Sequence, residues 1–563
     1  GADNTATGSQ ALANTTTGTN NTAVGRSALQ LNTTASNNTA VGYQSLLANT
    51  TGANNTAVGY LALDANTTAA NNTAVGRDSL GANTTGAQNT AVGLTAGAGI
   101  TTGSYNQAFG YQSMNTGPTT GSYNTAYGAQ SAQSITSGAN NVAIGHQALG
   151  ANTTGAGNTA LGAYSLDANT TGEHNTAVGY NALIANTTGG NLIAVGKGAL
   201  ESNTTANNGV AVGLRALNAN TTGADNTAMG RDALYVNSTG ANNVAVGAFA
   251  LDANTTASNN TAVGFQAGTA NTTGTELTAI GYFSGKSNTT GGANTAVGFQ
   301  ALHATTTGNA NNAFGSGALY NNTTGTENVA MGVNALVTNT TGSSNVGIGR
   351  DALYANTTAD NNTAVGYSAL AANTTGINNT AVGNNALLAQ TTSNRNTAIG
   401  HTAGQALTTG AFNTFLGSGA AGGGATKTGN DNIAIGSWHD GVVEGPLAAV
   451  TSGYRNVAIG NGAMRSLSTG VQNVALGYRA GSSITTGDSN VCIGNLAGEG
   501  QFSTTDNQLF IARAATGAGN AATWIQGNAN GACIQGNNNS SWTTASDERI
   551  KKDIVDSPNG LAK

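Results

Sequence analysis

Asn55-Thr56-Ala57-Val58-Gly59-Tyr60-Leu61-Ala62-Leu63-Asp64-Ala65-Asn66-Thr67-Thr68-Ala69-Ala70-Asn71 is one copy of a motif that recurs along the whole chain. The glycine that closes N-T-A-V-G serves as an anchor. It falls at Gly8, Gly25, Gly42, Gly59, Gly76, Gly93 and Gly110, each 17 residues after the last. The step to Gly128 is 18, and every step from there to Gly417 is again 17. Gly436, Gly460, Gly477 and Gly494 follow at steps of 19, 24, 17 and 17, giving 29 anchors. Length changes are confined to residues 111–128 and 418–459, so the register is tightly held. A short unit at fixed period, too small to bury an apolar face alone, is the signature of a solenoid.

Inside the unit the apolar residues alternate. Ile433 and Ile435, or Val457 and Ile459, flank an alanine, and period 2 reads as a strand. The alanine between them implies that the other face also meets something closely. A second apolar pair, Ala28-Leu29 or Ala62-Leu63, follows, and N-T-T-G then reverses the chain. Glycine after each strand suits a corner with an unusual backbone angle. The expectation is one coil per unit with two short strands and two turns. Parallel strands ~4.8 Å apart would make twenty-nine coils a rod of roughly 140 Å. About two large aliphatics per coil, such as Val58 and Leu63, are expected to point inward. So thin a core requires neighbours, and the flat Ala, Thr and Asn faces are expected to pack against copies of the chain.

Composition closes off other classes. The chain has 563 residues, 83 of them glycine and 3 proline, and only 7% are charged, against about 25% in an ordinary domain. A net charge of −6 with scattered Lys and Arg is no nucleic-acid footprint. No stretch approaches the roughly 18 apolar residues of a membrane span. Collagen's glycine every third residue is absent, and the recurring aliphatics argue against disorder. Two cysteines, Cys492 and Cys533, are too few for a disulfide framework and read as buried thiols. The first residues carry no signal-peptide pattern and begin inside a repeat, which suggests a longer precursor.

The N-T-A-V-G and N-V-A-I-G strands resemble the N-S-V-A-I-G repeats in the heads of trimeric autotransporter adhesins, over roughly residues 1–494. The unit of 17 is longer than that family's usual coil, and A-L-x-A-N-T-T-G resembles repetitive tail-fibre-like proteins. The resemblance implies a left-handed, homotrimeric all-β parallel β-solenoid (a β-roll). After Gly494 the repeat ends. Residues 495–545 read as a β neck, with Trp524-Ile525-Gln526-Gly527 and Cys533-Ile534-Gln535-Gly536 nine apart. Residues 546–563 resemble the start of the self-cleaving intramolecular chaperone domain of phage tail fibres and endosialidases, at Ser546, Asp547, Arg549, Lys551 and Ile554. That resemblance implies Ser546 as nucleophile and Lys551 as its base, with Arg549 and Lys552 placed to lower the lysine pKa. The family's domain runs far beyond Lys563, so this chain alone is not expected to cleave.

Three further features are candidate sites. N-T-T triplets fit the N-x-[ST] acceptor pattern, among them Asn49, Asn66, Asn169, Asn186, Asn220, Asn254, Asn356 and Asn373. They read either as glycan carriers or as a stacked asparagine ladder. The residue after the anchor is Tyr43, Tyr60, Tyr180, Tyr282, Tyr367, Phe265 or Phe299, with Arg26, Arg77, Arg231 and Arg350 at equivalent places. Such a row stacks on itself, seals a subunit seam or stacks on sugars. The longest insertion holds Trp438, His439 and Asp440, with Tyr454 beyond, and a loop breaking a regular rod suits receptor or glycan contact. No metal or cofactor cluster is visible.

The expected function is an extracellular structural fibre or filament, on a cell surface or virion. It would be a homotrimer, also capable of end-to-end assembly, without enzyme activity beyond single-turnover self-cleavage at Ser546. The alternatives are a glycan-coated filament, or an ice- or surface-binding solenoid using paired threonines.

Overall fold

The computed structural model describes residues 2–438, 445–500, 503–512, 523–527 and 533–535. The chain forms two units, Gly1–Glu327 and Asn328–Lys563, and each is a parallel β-solenoid with no helix among the described residues. The first runs from the strand Thr5–Thr7 to the strand Asn312–Phe314. Each strand pairs in parallel with the one a coil later, residue for residue: Thr56 with Thr73, Ala57 with Ala74, Val58 with Val75. The second runs from Val329–Met331 to Val491–Ile493 in the same way. Leu509–Ala512 adds one more parallel rung. Thr523–Gly527 then pairs with it antiparallel, and Cys533–Gln535 pairs antiparallel with Thr523–Gly527.

Every coil has one strand of three residues, not two strands. Apart from isolated bridges at Ile100–Thr119 and Leu407–Lys427, no second ladder exists among the described residues. The segment expected to form it, Tyr60 to Leu63, bends through left-handed residues instead: φ is 54° at Leu61 and 56° at Leu63. Leucine there carries a steric cost of about 1–2 kcal/mol. Inter-coil hydrogen bonds and burial offset it. Leu61 N–H donates back to Tyr43 O (3.0 Å), Leu63 N–H donates forward to Ser79 O (2.9 Å), and the Leu63 side chain is fully buried. The two amides point opposite ways along the stack, so this wall is joined to both neighbours without being a strand.

The strand faces are also reversed from the expectation. Val58 is 36% exposed, whereas Ala57 is 0% exposed. The core of each coil is Ala57, Ala62 and Leu63, so alanine lines the interior. The row one residue before the anchor (Val24, Ile144, Leu161, Met229, Val263, Ile280) lies on the outside. Only alanine fits inside because leucine fills the opposite wall. Where that wall has Gly404, the alanine slot holds Phe415, fully buried, and a Cβ on Gly404 would stand 2.6 Å from its ring.

The anchor is glycine for two reasons at once. Gly59 has φ +145°, and a Cβ there would lie 2.3 Å from Gly76 O in the next coil. Neither the dihedral nor the contact admits a side chain.

Candidate functional site

Two asparagine ladders run through each solenoid. In the N-T-T triplet, Asn66 Nδ2 donates to Asn49 Oδ1 (2.9 Å) and to Ala69 O (3.0 Å). Asn186 Nδ2 donates to Asn169 Oδ1 and Gly189 O, and Asn356 Nδ2 to Asn339 Oδ1 and Ala359 O. Asn49, Asn169, Asn220, Asn254 and Asn373 repeat this geometry. All eight are buried. An N-glycan replaces one amide hydrogen and needs a path to solvent, and the folded coil offers neither. The ladder is therefore the arrangement the geometry supports for these eight residues, and an N-glycan coat does not fit the folded coils.

The second ladder was not anticipated. The asparagine that opens N-T-A-V-G is buried too. Asn55 Oδ1 accepts Asn72 N–H at 2.9 Å, and Asn55 Nδ2 donates to Ala69 O at 2.9 Å. Its signal in the sequence was the recurrence of asparagine four residues before the anchor. These side chains satisfy backbone groups that the three-residue strand leaves unpaired.

The ladders break where hydrophobes replace asparagine. Ile100, Ile135, Leu407, Leu467 and Ile484 take the triplet position and are buried. Facing Ile100, Leu407 and Ile484, the leucine of the opposite wall becomes Gly97, Gly404 and Gly481; facing Ile135 it is Ala132. A Cβ on Gly97 would already stand 3.3 Å from Ile100 Cδ1. Volume is conserved in these four coils, whereas Leu467 keeps a large wall residue, Met464, and both are buried.

The aromatic row stacks along the chain. Tyr43 and Tyr60 lie 5.2 Å apart at 12°, with the guanidinium of Arg26 5.9 Å from the first ring and that of Arg77 5.6 Å from the second. Phe265, Tyr282 and Phe299 form a second stack with 5.5 Å between centroids. Tyr43 and Tyr60 thus meet a ring on one face and a guanidinium on the other, whereas Phe299 is stacked by Tyr282 alone and is half exposed. That arrangement suits cation–π and π–π stabilisation. Tyr180 takes an edge from Tyr164 and lies near Lys197 Nζ, and Arg350 lies over Tyr367.

Around the insertion, Trp438 is half exposed and joins His401, Thr402, Gln405, Gly419 and Ala448 around a cavity of about 320 Å³. Gly419 makes room for it: a Cβ there would stand 2.9 Å from Trp438 Cβ. Tyr454 does not line this cavity, and its ring carries the Arg455 guanidinium at 5.7 Å. His439 and Asp440 lie outside the described residues, as do Ser546, Lys551 and the rest of residues 546–563. A residue the sequence reading passed over holds the insertion together. Lys427 is buried, and its Nζ donates to Ala448 O (2.7 Å) and Val450 O (3.0 Å). Its only signal was a lysine inside the turn triplet, T-K-T-G.

Cys492 occupies an alanine slot beside Phe510, and burial pushes its thiol up to about 12. Among the described residues no group of three or more His, Cys, Asp or Glu converges as metal ligands, and no helix is long and apolar enough to cross a membrane. Fold and side-chain rows together define a tandem-repeat, asparagine-laddered β-solenoid. No family model matches the chain, and no curated protein matches it.

Proposed function

We propose that this chain is the shaft of an extracellular homotrimeric fibre, of the tail-fibre or surface-adhesin kind. One observation carries the reading. In coil after coil the residue before the anchor is a large hydrophobe on the outer face of the sheet, as at Val24, Ile144, Leu161, Met229, Val263 and Ile280. An outward-facing apolar row, exposed in some coils and half-buried in others, marks an association surface. A second chain with the same 17-residue repeat meets it in register at every coil. Trimerisation, left-handedness and a C-terminal chaperone starting at Ser546 rest on the resemblance to autotransporter heads and tail fibres. No turnover is proposed beyond self-cleavage beside Ser546. Sedimentation equilibrium of the isolated protein tests the reading: three chain masses are expected, and one chain mass at micromolar concentration refutes it. Replacing Val246, Val263 and Ile280 by lysine should dissociate the assembly at that segment while leaving the coils folded.

A further inference from the structure

Eight residues before the anchor, each of the 28 coils from Gly25 to Gly494 carries a hydroxyl: Ser137, Ser452 and otherwise threonine. Every one of these side chains is exposed. The threonine before it has a structural duty, since Thr50 Oγ1 donates to Thr67 O (3.0 Å) and Thr67 Oγ1 to Thr84 O (3.2 Å). The exposed one has none. Apart from Thr120 and Thr428, whose hydroxyls reach a backbone carbonyl at 3.4 Å, these hydroxyls donate to nothing among the described residues.

Two comparisons show that the fold does not demand this uniformity. The two positions after the next buried residue vary freely: Ala53-Asn54, Glu173-His174, Thr275-Glu276, Ile377-Asn378, Ala411-Phe412. And the replacements at the uniform position are serine, never valine or isoleucine, so it is the oxygen that recurs and not the β-branch. A row one residue wide, flanked by such irregular neighbours, is not the flat array a crystal lattice needs.

We infer that this row, Thr51, Thr68, Thr85, Thr171, Thr188 and their equivalents, is a site of O-linked glycosylation. The residue after each is Gly, Ala or Ser, so a transferase meets nearly the same accessible turn in every coil. The donor is a nucleotide-activated sugar. Threonine Oγ forms a bond to the anomeric carbon, the bond from that carbon to the phosphate breaks, the nucleoside diphosphate leaves, and the hydroxyl proton passes to a base of the transferase. With a row repeat of ~4.8 Å, the sugars would form one dense stripe along each unit.

The test is peptide mapping of the natively isolated chain by electron-activated fragmentation. Sugar-sized increments are expected on Thr68, Thr171 and Thr188, with Asn66, Thr67 and Thr170 bare. Unmodified peptides, or increments on the asparagines, overturn the proposal. In the native host, Thr171→Ser, Thr188→Ser and Thr205→Ser together should keep the increments. The matching valine variants should lose one glycan per substituted coil without changing the unfolding curve. Unfolding of the valine variants would instead assign the hydroxyls a structural role. None of these outcomes depends on whether the chain is a trimeric fibre.

Discussion

The Nδ2 of Asn66 donates at once to Asn49 Oδ1 in the preceding coil, at 2.9 Å, and to Ala69 O in its own coil, at 3.0 Å. One amide thus closes a turn and joins two coils.

Removing such an amide leaves several buried partners short of a bond. In Asn169→Ala, Asn186 Nδ2 loses an acceptor, Asn152 Oδ1 loses a donor, and Gly172 O keeps only Asn158. Each unsatisfied group costs about 1–3 kcal/mol. Destabilisation of that order is expected by denaturant unfolding. Faster hydrogen exchange should be centred on the flanking coils, because a solenoid transmits instability mainly to neighbours.

Two glycines seven residues apart should respond differently to alanine. At Gly179, φ is +133° and a Cβ would meet Gly196 O at 2.7 Å, so Gly179→Ala should split the local stack. At Gly172 a Cβ also comes close, 2.4 Å from Gly189 O, yet φ is not left-handed and Ala69, Ala206, Ala257 and Ala359 fill the same position elsewhere. Gly172→Ala should leave the thermal midpoint nearly unchanged, and a fall equal to that of Gly179→Ala would contradict this account.

Core volume should behave as a swap. Gly97→Leu adds a side chain beside Leu80 and Ile100 and should cost about 1–3 kcal/mol by overpacking. Adding Ile100→Asn should recover most of that, because it restores the leucine–asparagine pair of the common coil. The backbone is already suited: φ is +64° at Gly97 and 56° at Leu63. A double-mutant cycle measures the coupling.

Acidity should act through a half-buried carboxyl. Burial, with Asp78 nearby, raises Asp64 above its usual 3.8 against backbone hydrogen bonds that lower it. A raised native pKa means that folding disfavours the charged form. The penalty is absent below the unfolded value and grows as pH rises through the raised one. Asp64→Asn should therefore stabilise the chain at neutral pH and make no difference near pH 3, as followed by thermal midpoint against pH.

Much of this architecture was legible in the residues. The 17-residue register, the strand before each anchor, the strained glycine corner and the triplet ladder all follow from which residue types recur where. The direction each face points did not. Period 2 assigns Ala57 and Val58 to opposite sides of a strand without saying which side is inside, and size favours valine. The interior is in fact too narrow, because Leu63 and two asparagines fill it. The wall carrying Leu61 and Leu63 was illegible for another reason: leucine is a poor marker of positive φ, and inter-coil hydrogen bonds and the burial of Leu63 hold it there. The stacking of Tyr43 on Tyr60 was one of the three readings that the spacing left open, while the cavity beside Trp438 could not be read at all, since it depends on Gly419 and on Lys427 clamping the backbone from within.

From Asn152 to Asn288 the triplet amides hydrogen-bond in one unbroken sequence, each Nδ2 facing the coil before it and each Oδ1 the coil after. Their dipoles are collinear and reinforce one another, as peptide dipoles do in a helix. The thread is polar, with its donor end at Asn152 and its acceptor end at Asn288. The coil before it presents Ile135 and the coil after it Thr305, so the array stops on a side chain without an amide at both ends. Such interruptions limit how far the polarisation accumulates, and the aligned amides give the stack a sense of direction that an antiparallel assembly would cancel and a head-to-tail one would extend.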